Sequence, residues 1–149
     1  MRNKDSYYME LAKTAATQSK DPHTKVGSCI VKDGHILSLG WNGAPRKFPD
    51  ELVPLGRDPS LPLKDQKLSY MCHSELNSIL NYRGDLSNLE DAVIYVTVSP
   101  CNNCALALIQ VGIKEVIYLE EYHRTEIWEM SKYLFDKCGV SYRKLEEVS

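Results

Sequence analysis

Hydrophobic positions along the chain recur with two alternating periods, helical and extended. Between Ser6 and Gln18, apolar Tyr8, Leu11, Ala12, Ala15 and Ala16 fall on one face at helical spacing, which predicts an amphipathic helix capped by Ser6. Val26–Val31 and Ile36–Trp41 flank Lys32-Asp33-Gly34-His35, and the Asp-Gly pair predicts a hairpin of two antiparallel strands. A helix is expected over 69–83, with Leu76, Ile79 and Leu80 on one face and Gly84 as its stop. The almost wholly apolar run Ala92–Val98 reads as a strand covered on both faces. Pro100 then introduces a helix over Cys101–Val111 that ends at Gly112. A strand over Glu115–Leu119, a helix over Thr125–Cys138 stopped by Gly139 and a short strand over Val140–Leu145 complete the series. The order α-β-β-α-β-α-β-α-β, with helices linking the last three strands as crossovers, predicts one α/β domain over 1–149: a five-stranded mixed sheet with helices on both faces.

One stretch fits neither period. Residues 42–67 hold five of the seven prolines among charged residues, too broken for a helix and too proline-rich for a central strand. A loop longer than about 12–15 residues is uncommon without a function, so this one is a candidate lid or subunit contact.

Composition narrows the function classes. The 149 residues are 43% apolar, enough for a single core. A net charge of −2 provides no basic excess to draw the chain onto polymeric nucleic acid. No apolar run is long enough to span a bilayer, and the polar start Met1-Arg2-Asn3-Lys4-Asp5 leads into no signal region, so a cytoplasmic protein is expected. Five cysteines, an odd number without a secretory signal, read as reduced thiols serving as ligands or core.

Two of those thiols stand in Pro100-Cys101-Asn102-Asn103-Cys104, one helical turn apart at a helix start, where unpaired N–H groups favour thiolate. Upstream lies His73-Ser74-Glu75. His73, Cys101 and Cys104 make a three-ligand zinc set that leaves a fourth position to water, as catalytic rather than structural zinc requires. Glu75, two residues from a ligand, is the free carboxylate that such a site needs for proton transfer. Alternatives remain for each part. A structural zinc site would draw a fourth ligand from Cys29, Cys72, Cys138 or His123; a redox dithiol would use the cysteine pair alone; and Glu75 could merely complement a helix dipole. His-x-Glu followed by Pro-Cys-x-x-Cys is the signature of zinc deaminases, in which zinc-activated water attacks C4 of cytosine and the glutamate shuttles protons.

With Asp21-Pro22-His23-Thr24-Lys25-Val26-Gly27, Gly40-Trp41-Asn42-Gly43-Ala44-Pro45, His73-Ser74-Glu75-Leu76-Asn77 and Ser99-Pro100-Cys101-Asn102-Asn103-Cys104 in order, most of the chain resembles the deoxycytidylate (dCMP) deaminases of the zinc-dependent cytidine deaminase superfamily. The resemblance implies the three-layer cytidine deaminase-like sandwich, conversion of dCMP to dUMP and ammonia for dTMP synthesis, and one catalytic Zn2+. It also implies a homohexamer activated by dCTP with Mg2+ and inhibited by dTTP. Family members occur in phages as well as cells, which would place a phage protein in the host cytoplasm. On this resemblance Asn42 is a candidate for a deoxyribose hydroxyl or an effector, and Lys25, Gly43, Arg46 and Lys47 are candidate effector contacts. Tyr122 and Arg124 follow the strand Glu115–Leu119, at the sheet edge where open α/β folds bind ligands, and are candidates for the substrate phosphate.

Bland readings stand beside these. Asn-Gly also makes an ordinary turn, surface cations are usually solvated, and Tyr122 and Arg124 could be a core tyrosine and a salt-bridged arginine. Trp41 and Trp128 read as packing residues and Cys29 as inert core. Free cytidine or deoxycytidine deamination is the rival within the same chemistry, and a non-catalytic zinc-stabilised binding module is the rival outside it.

Overall fold

The structure is a computed structural model that describes residues 4–147; positions 1–3 of the polar N-terminal stretch lie outside them. The expected element order is present. Helix α1 (Lys4–Ala16) precedes the hairpin β1 (Gly27–Lys32) and β2 (His35–Trp41), and α2 (Ser74–Asn81) follows the long loop. Then come β3 (Val93–Val98), α3 (Asn102–Gln110), β4 (Glu115–Glu120), α4 (Thr125–Cys138) and β5 (Ser141–Lys144). The hairpin turns at Asp33 and Gly34 with φ of 50° and 78°. Positive φ at both central residues matches the strands' twist, and the Asp-Gly pair tolerates it.

The five strands form one mixed sheet ordered β2-β1-β3-β4-β5. β1 is antiparallel to both β2 and β3, whereas β3, β4 and β5 are mutually parallel. Alternating side chains send the two faces into separate apolar clusters. Cys29, Val31, Tyr95 and Ile117 pack under Tyr8, Met9 and Ala12 of α1. Ile30, Ile94, Val96, Val116 and Tyr118 meet Ile79 of α2, Ala105 and Leu108 of α3, and Trp128 and Phe135 of α4. The result is a three-layer sandwich with one helix on one face and three on the other. Trp128 and Cys29 are core residues, and burial pushes the Cys29 thiol up to about 12.

The helix expected over 69–83 is shorter and begins later. Lys67–Tyr70 is a 3-10 turn, and α2 starts only at Ser74. Between them Cys72 exchanges two backbone hydrogen bonds with Gly43, at 2.7 and 3.0 Å, which hold this segment extended. The long loop has no strand or α-helix of its own, only short 3-10 turns at Asp50–Leu52 and Leu63–Asp65. Among the described residues, no helix is long and apolar enough to cross a membrane.

Four side chains fasten α2 to the hairpin. Ser28 donates to the Ser74 carbonyl at 3.0 Å and Ser38 to the Ser78 carbonyl at 2.6 Å. Asn77 and Asn81 donate to the Trp41 and Leu39 carbonyls of edge strand β2, at 2.7 and 3.0 Å. Gly40 allows the close approach: a Cβ there would lie 2.4 Å from the Ser74 carbonyl oxygen and 2.5 Å from the Ser78 nitrogen.

Candidate metal centre and its surroundings

Two helix N-termini converge on one point. His73 is the N-cap of α2 and Cys101 the N-cap of α3, both in extended conformation and neither using its side chain to cap. Their backbone carbonyls start the helices by accepting from Asn77 and Ala105, at 3.0 and 2.9 Å. The imidazole and thiol are thereby left for other work. Cys104 joins them from the first turn of α3, beside the positive end of the helix, where thiolate is favoured.

His73 Nδ1 lies 3.3 Å from Cys101 Sγ and 3.5 Å from Cys104 Sγ, and the three donor atoms all fall within 4.8 Å of one another. Ligands about 2.0 and 2.3 Å from a tetrahedral zinc ion would stand about 3.6 Å apart, so the donor set and its spacing fit zinc. Among the described residues no other such cluster of His, Cys, Asp or Glu is present. Cys72 neighbours His73 in sequence but is not in the cluster, and Cys138 is exposed at the end of α4. The four-ligand structural site therefore has no fourth donor here.

Hydrogen bonding and burial move the proton affinities of the thiols and the imidazole in different directions. Hydrogen bonds from Cys104 and His73 outweigh burial and bring Cys101 down to about 4, while the Cys104 thiol is pushed up by its bond to Cys101 and by burial. The hydrogen bond to Cys101 raises the affinity of His73 for a proton despite its burial. Glu75 is buried at 4% exposure and stands outside the donor cluster, with the Ser74 hydroxyl 3.1 Å from its Oε1. Burial pushes its carboxyl upward, against the pull of His73. A carboxyl so placed exchanges protons at a pH where an exposed one would stay ionised.

Parallel strands β3 and β4 end beside this centre. Tyr122 is partly buried against the core, and burial, then the negative charges of Cys101, Glu75 and Cys104, raise its phenol. Its ring is 4.7 Å from that of His123. Arg124, the N-cap of α4, is exposed and pairs with Glu126 at 2.7 Å.

The Asn42 turn approaches His73 through the pairing of Gly43 with Cys72. Asn42 is buried, its Oδ1 accepting from the Val26 N–H at 2.8 Å and its Nδ2 donating to the Thr24 carbonyl at 2.9 Å. Its amide therefore braces the entry to β1. Asn42, Gly43, Arg46 and Lys47 line a cavity of about 600 Å³, whose walls also include Lys20 and Trp41. Lys25 is not in that wall and donates to the Ser19 carbonyl instead. Two further wall residues, Asp21 and Lys67, form a buried ion pair at 3.0 Å. Their partnership left no trace in sequence spacing, because Lys67 is one lysine in a proline-rich loop. Ser99 and Ser74 stand inside the quoted motifs, but the partners of their hydroxyls, the Tyr122 N–H and the Glu75 carboxyl, leave no periodic signal in the sequence.

The fold and the donor set define a hydrolytic deaminase centre of the zinc type. Residues 2–120 match the family model described as the cytidine and deoxycytidylate deaminase zinc-binding region, and the chain belongs to that family. It is 41% identical over 140 residues to the mouse (Mus musculus) deoxycytidylate deaminase, covering 93% of this chain and 77% of that one. It is 30% identical over 156 residues to the deoxycytidylate deaminase of Enterobacteria phage T2, covering 83% of each. Among solved structures, the dCMP deaminase of cyanophage S-TIM5 in apo form aligns with a TM-score of 0.72 at 25% identity, covering 97% of this chain and all of that one. The same cyanophage enzyme in complex with dCMP and dUMP gives 0.74 at 24% identity, covering 97% and 99%.

Proposed function

We propose that the protein hydrolyses dCMP to dUMP and ammonia, supplying dUMP for dTMP synthesis. The observation that carries this reading is a buried carboxyl, Glu75, beside a three-donor cluster of one imidazole and two thiols. His73, Cys101 and Cys104 would hold a zinc ion, which would supply the Lewis acidity that brings the pKa of a water toward neutrality. Glu75 takes the proton released from that water and delivers it to N3 of the pyrimidine. The carboxylate then carries a second proton to the departing amine, so that the ring gains oxygen and loses ammonia. The Ser74 hydroxyl steadies one carboxyl oxygen throughout.

The choice of a nucleotide substrate is supported by the names of the relatives and by the groups beyond Glu75. Tyr122 provides a partly buried phenol at the mouth, and Arg124 a cation whose present partner is only an exposed glutamate. A phosphate offers Arg124 a stronger acceptor. For regulation, the cavity beside Asn42 has the size and cations for a nucleoside triphosphate with Mg2+, dCTP as activator or dTTP as inhibitor, with Gly43, Arg46 and Lys47 in its wall. Lys25 lies outside that wall, and Asn42 is engaged with backbone, so their part in ligand binding is secondary. The reading includes a homohexamer in the cytoplasm, as the family resemblance implies.

A substrate panel of dCMP, deoxycytidine, CMP and dCTP, each with and without added dCTP or dTTP, tests these points together. dCMP should be preferred, and Arg124→Ala should reduce kcat/KM for dCMP by about 10-fold or more while changing deoxycytidine turnover little. Equal losses on both substrates would remove Arg124 from phosphate binding. Preference for deoxycytidine would make the enzyme a nucleoside deaminase with the same chemistry.

A further inference from the structure

The two chain segments that flank the centre are joined at one side chain. Parallel pairing of β3 with β4 reaches Val98 and Glu120, and the Ser99 N–H donates to the Glu120 carbonyl at 2.8 Å. The next rung of a parallel ladder would run from the Tyr122 N–H to the Ser99 carbonyl. Here the Tyr122 N–H donates instead to the Ser99 hydroxyl oxygen, at 2.7 Å. Ser99 is 1% exposed, so no solvent competes for that oxygen. Pro100, which follows, has no N–H with which to extend the ladder. Its carbonyl is held from the other side by the buried Ser131 hydroxyl at 2.9 Å. Ser99 is thus fixed two residues before Cys101, and through its hydroxyl it fixes the main chain of Tyr122.

We propose that Ser99 is a positioning residue whose hydroxyl sets the distance of Tyr122 from the metal centre, and so the width of the substrate mouth. This inference rests on the reading of Tyr122 as a substrate contact. Its physical basis is local: beyond Glu120 the two strands diverge toward α3 and α4, and the side-chain rung is the bond from β3 to the Tyr122 backbone after regular pairing stops. Without it the Tyr122 N–H loses its partner in a partly buried position, and the segment from Glu121 to Arg124 gains freedom.

The test uses zinc-loaded enzyme and four variants, Ser99→Ala, Ser99→Thr, Tyr122→Ala and the Ser99→Ala/Tyr122→Ala double, with zinc content, melting temperature, kcat and KM for dCMP as readouts. Ser99→Ala should keep its zinc and a kcat within about 3-fold of wild type while KM rises about 10-fold, the factor equivalent to about 1.4 kcal/mol. Ser99→Thr retains the acceptor oxygen and should restore KM. The double variant should show no higher KM than Tyr122→Ala, because Ser99 acts through Tyr122. A Ser99→Ala penalty that multiplies in full onto Tyr122→Ala overturns the proposal, as does a fall in kcat accompanied by loss of zinc. A raised KM in Tyr122→Ala with a normal one in Ser99→Ala also overturns it, leaving the substrate contact standing. A normal KM in Tyr122→Ala removes the substrate contact and the proposal together. Should Ser99→Ala fail to fold, Ser99→Cys, whose sulfur is a weak acceptor, must raise KM in the same direction.

Discussion

Glu75 is buried beside the three-donor cluster without belonging to it, and the proton-transfer role proposed for it depends on that position. Glu75→Gln preserves shape and removes the exchangeable proton, so kcat should fall by at least about 100-fold while the zinc content stays unchanged. Wild-type turnover in a folded, zinc-loaded Glu75→Gln protein would overturn the assignment of proton transfer to Glu75. A second buried carboxylate, Asp21, serves stability. Burial raises its pKa, but hydrogen bonds from His23, Lys67 and Thr24 and the charge of Lys67 more than reverse this, leaving it below its usual 3.8. A depressed carboxylate pKa means the native state binds fewer protons than the unfolded one. The stabilisation is therefore complete above the unfolded value and is lost as pH falls through the folded one. Asp21→Asn strands the Lys67 charge in a buried position and should cost about 3 kcal/mol at neutral pH. Urea titrations across the acid range should also show a shallower pH dependence below about pH 4 than wild type.

At the scale of elements, the centre depends on where α2 and α3 begin. Amphipathic spacing locates a helix but not its first residue. The spacing that predicted a helix from 69 was overridden by the Gly43–Cys72 pairing, which keeps the chain extended up to His73. That late start makes His73 an N-cap with a free imidazole. The height of α2 above the sheet is set by Gly40, over which Ser74 and Ser78 pass. Gly40→Ala must lift α2 and loosen the Ser28 and Ser38 bonds, with an overpacking cost of about 1–3 kcal/mol. Because α2 carries both His73 and Glu75, kcat should fall together with zinc affinity. A melting curve alongside zinc-competition titrations checks this, and a destabilised variant with wild-type zinc affinity would show that the centre tolerates movement of α2.

For the whole molecule, a metal held at this centre ties the N-terminus of α2 to that of α3, joining the antiparallel half of the sheet to the parallel half. Ligand binding to the native state adds to folding stability. Stripping the enzyme with a strong chelator should abolish deamination and lower the melting temperature, and added Zn2+ should restore both. Mg2+ should restore neither, because it prefers oxygen ligands to imidazole and thiolate. Recovery of activity with Mg2+ alone would contradict the assignment of the three donors.

Sequence by itself determined the order of helices and strands, the hairpin at Asp33-Gly34, and which imidazole, thiols and carboxyl are candidates for the metal centre. Those properties rest on local periodicity, on turn stereochemistry and on residue chemistry at short spacing, all of which are written along the chain. Tertiary structure alone decided that the late start of α2 frees His73, that the Asn42 amide braces backbone, that Lys67 pairs with Asp21 across 46 positions, and that Ser99 holds Tyr122. These are contacts between segments remote in sequence, selected by which groups the packed sheet brings within hydrogen-bond reach and out of water, and no local pattern encodes such a meeting.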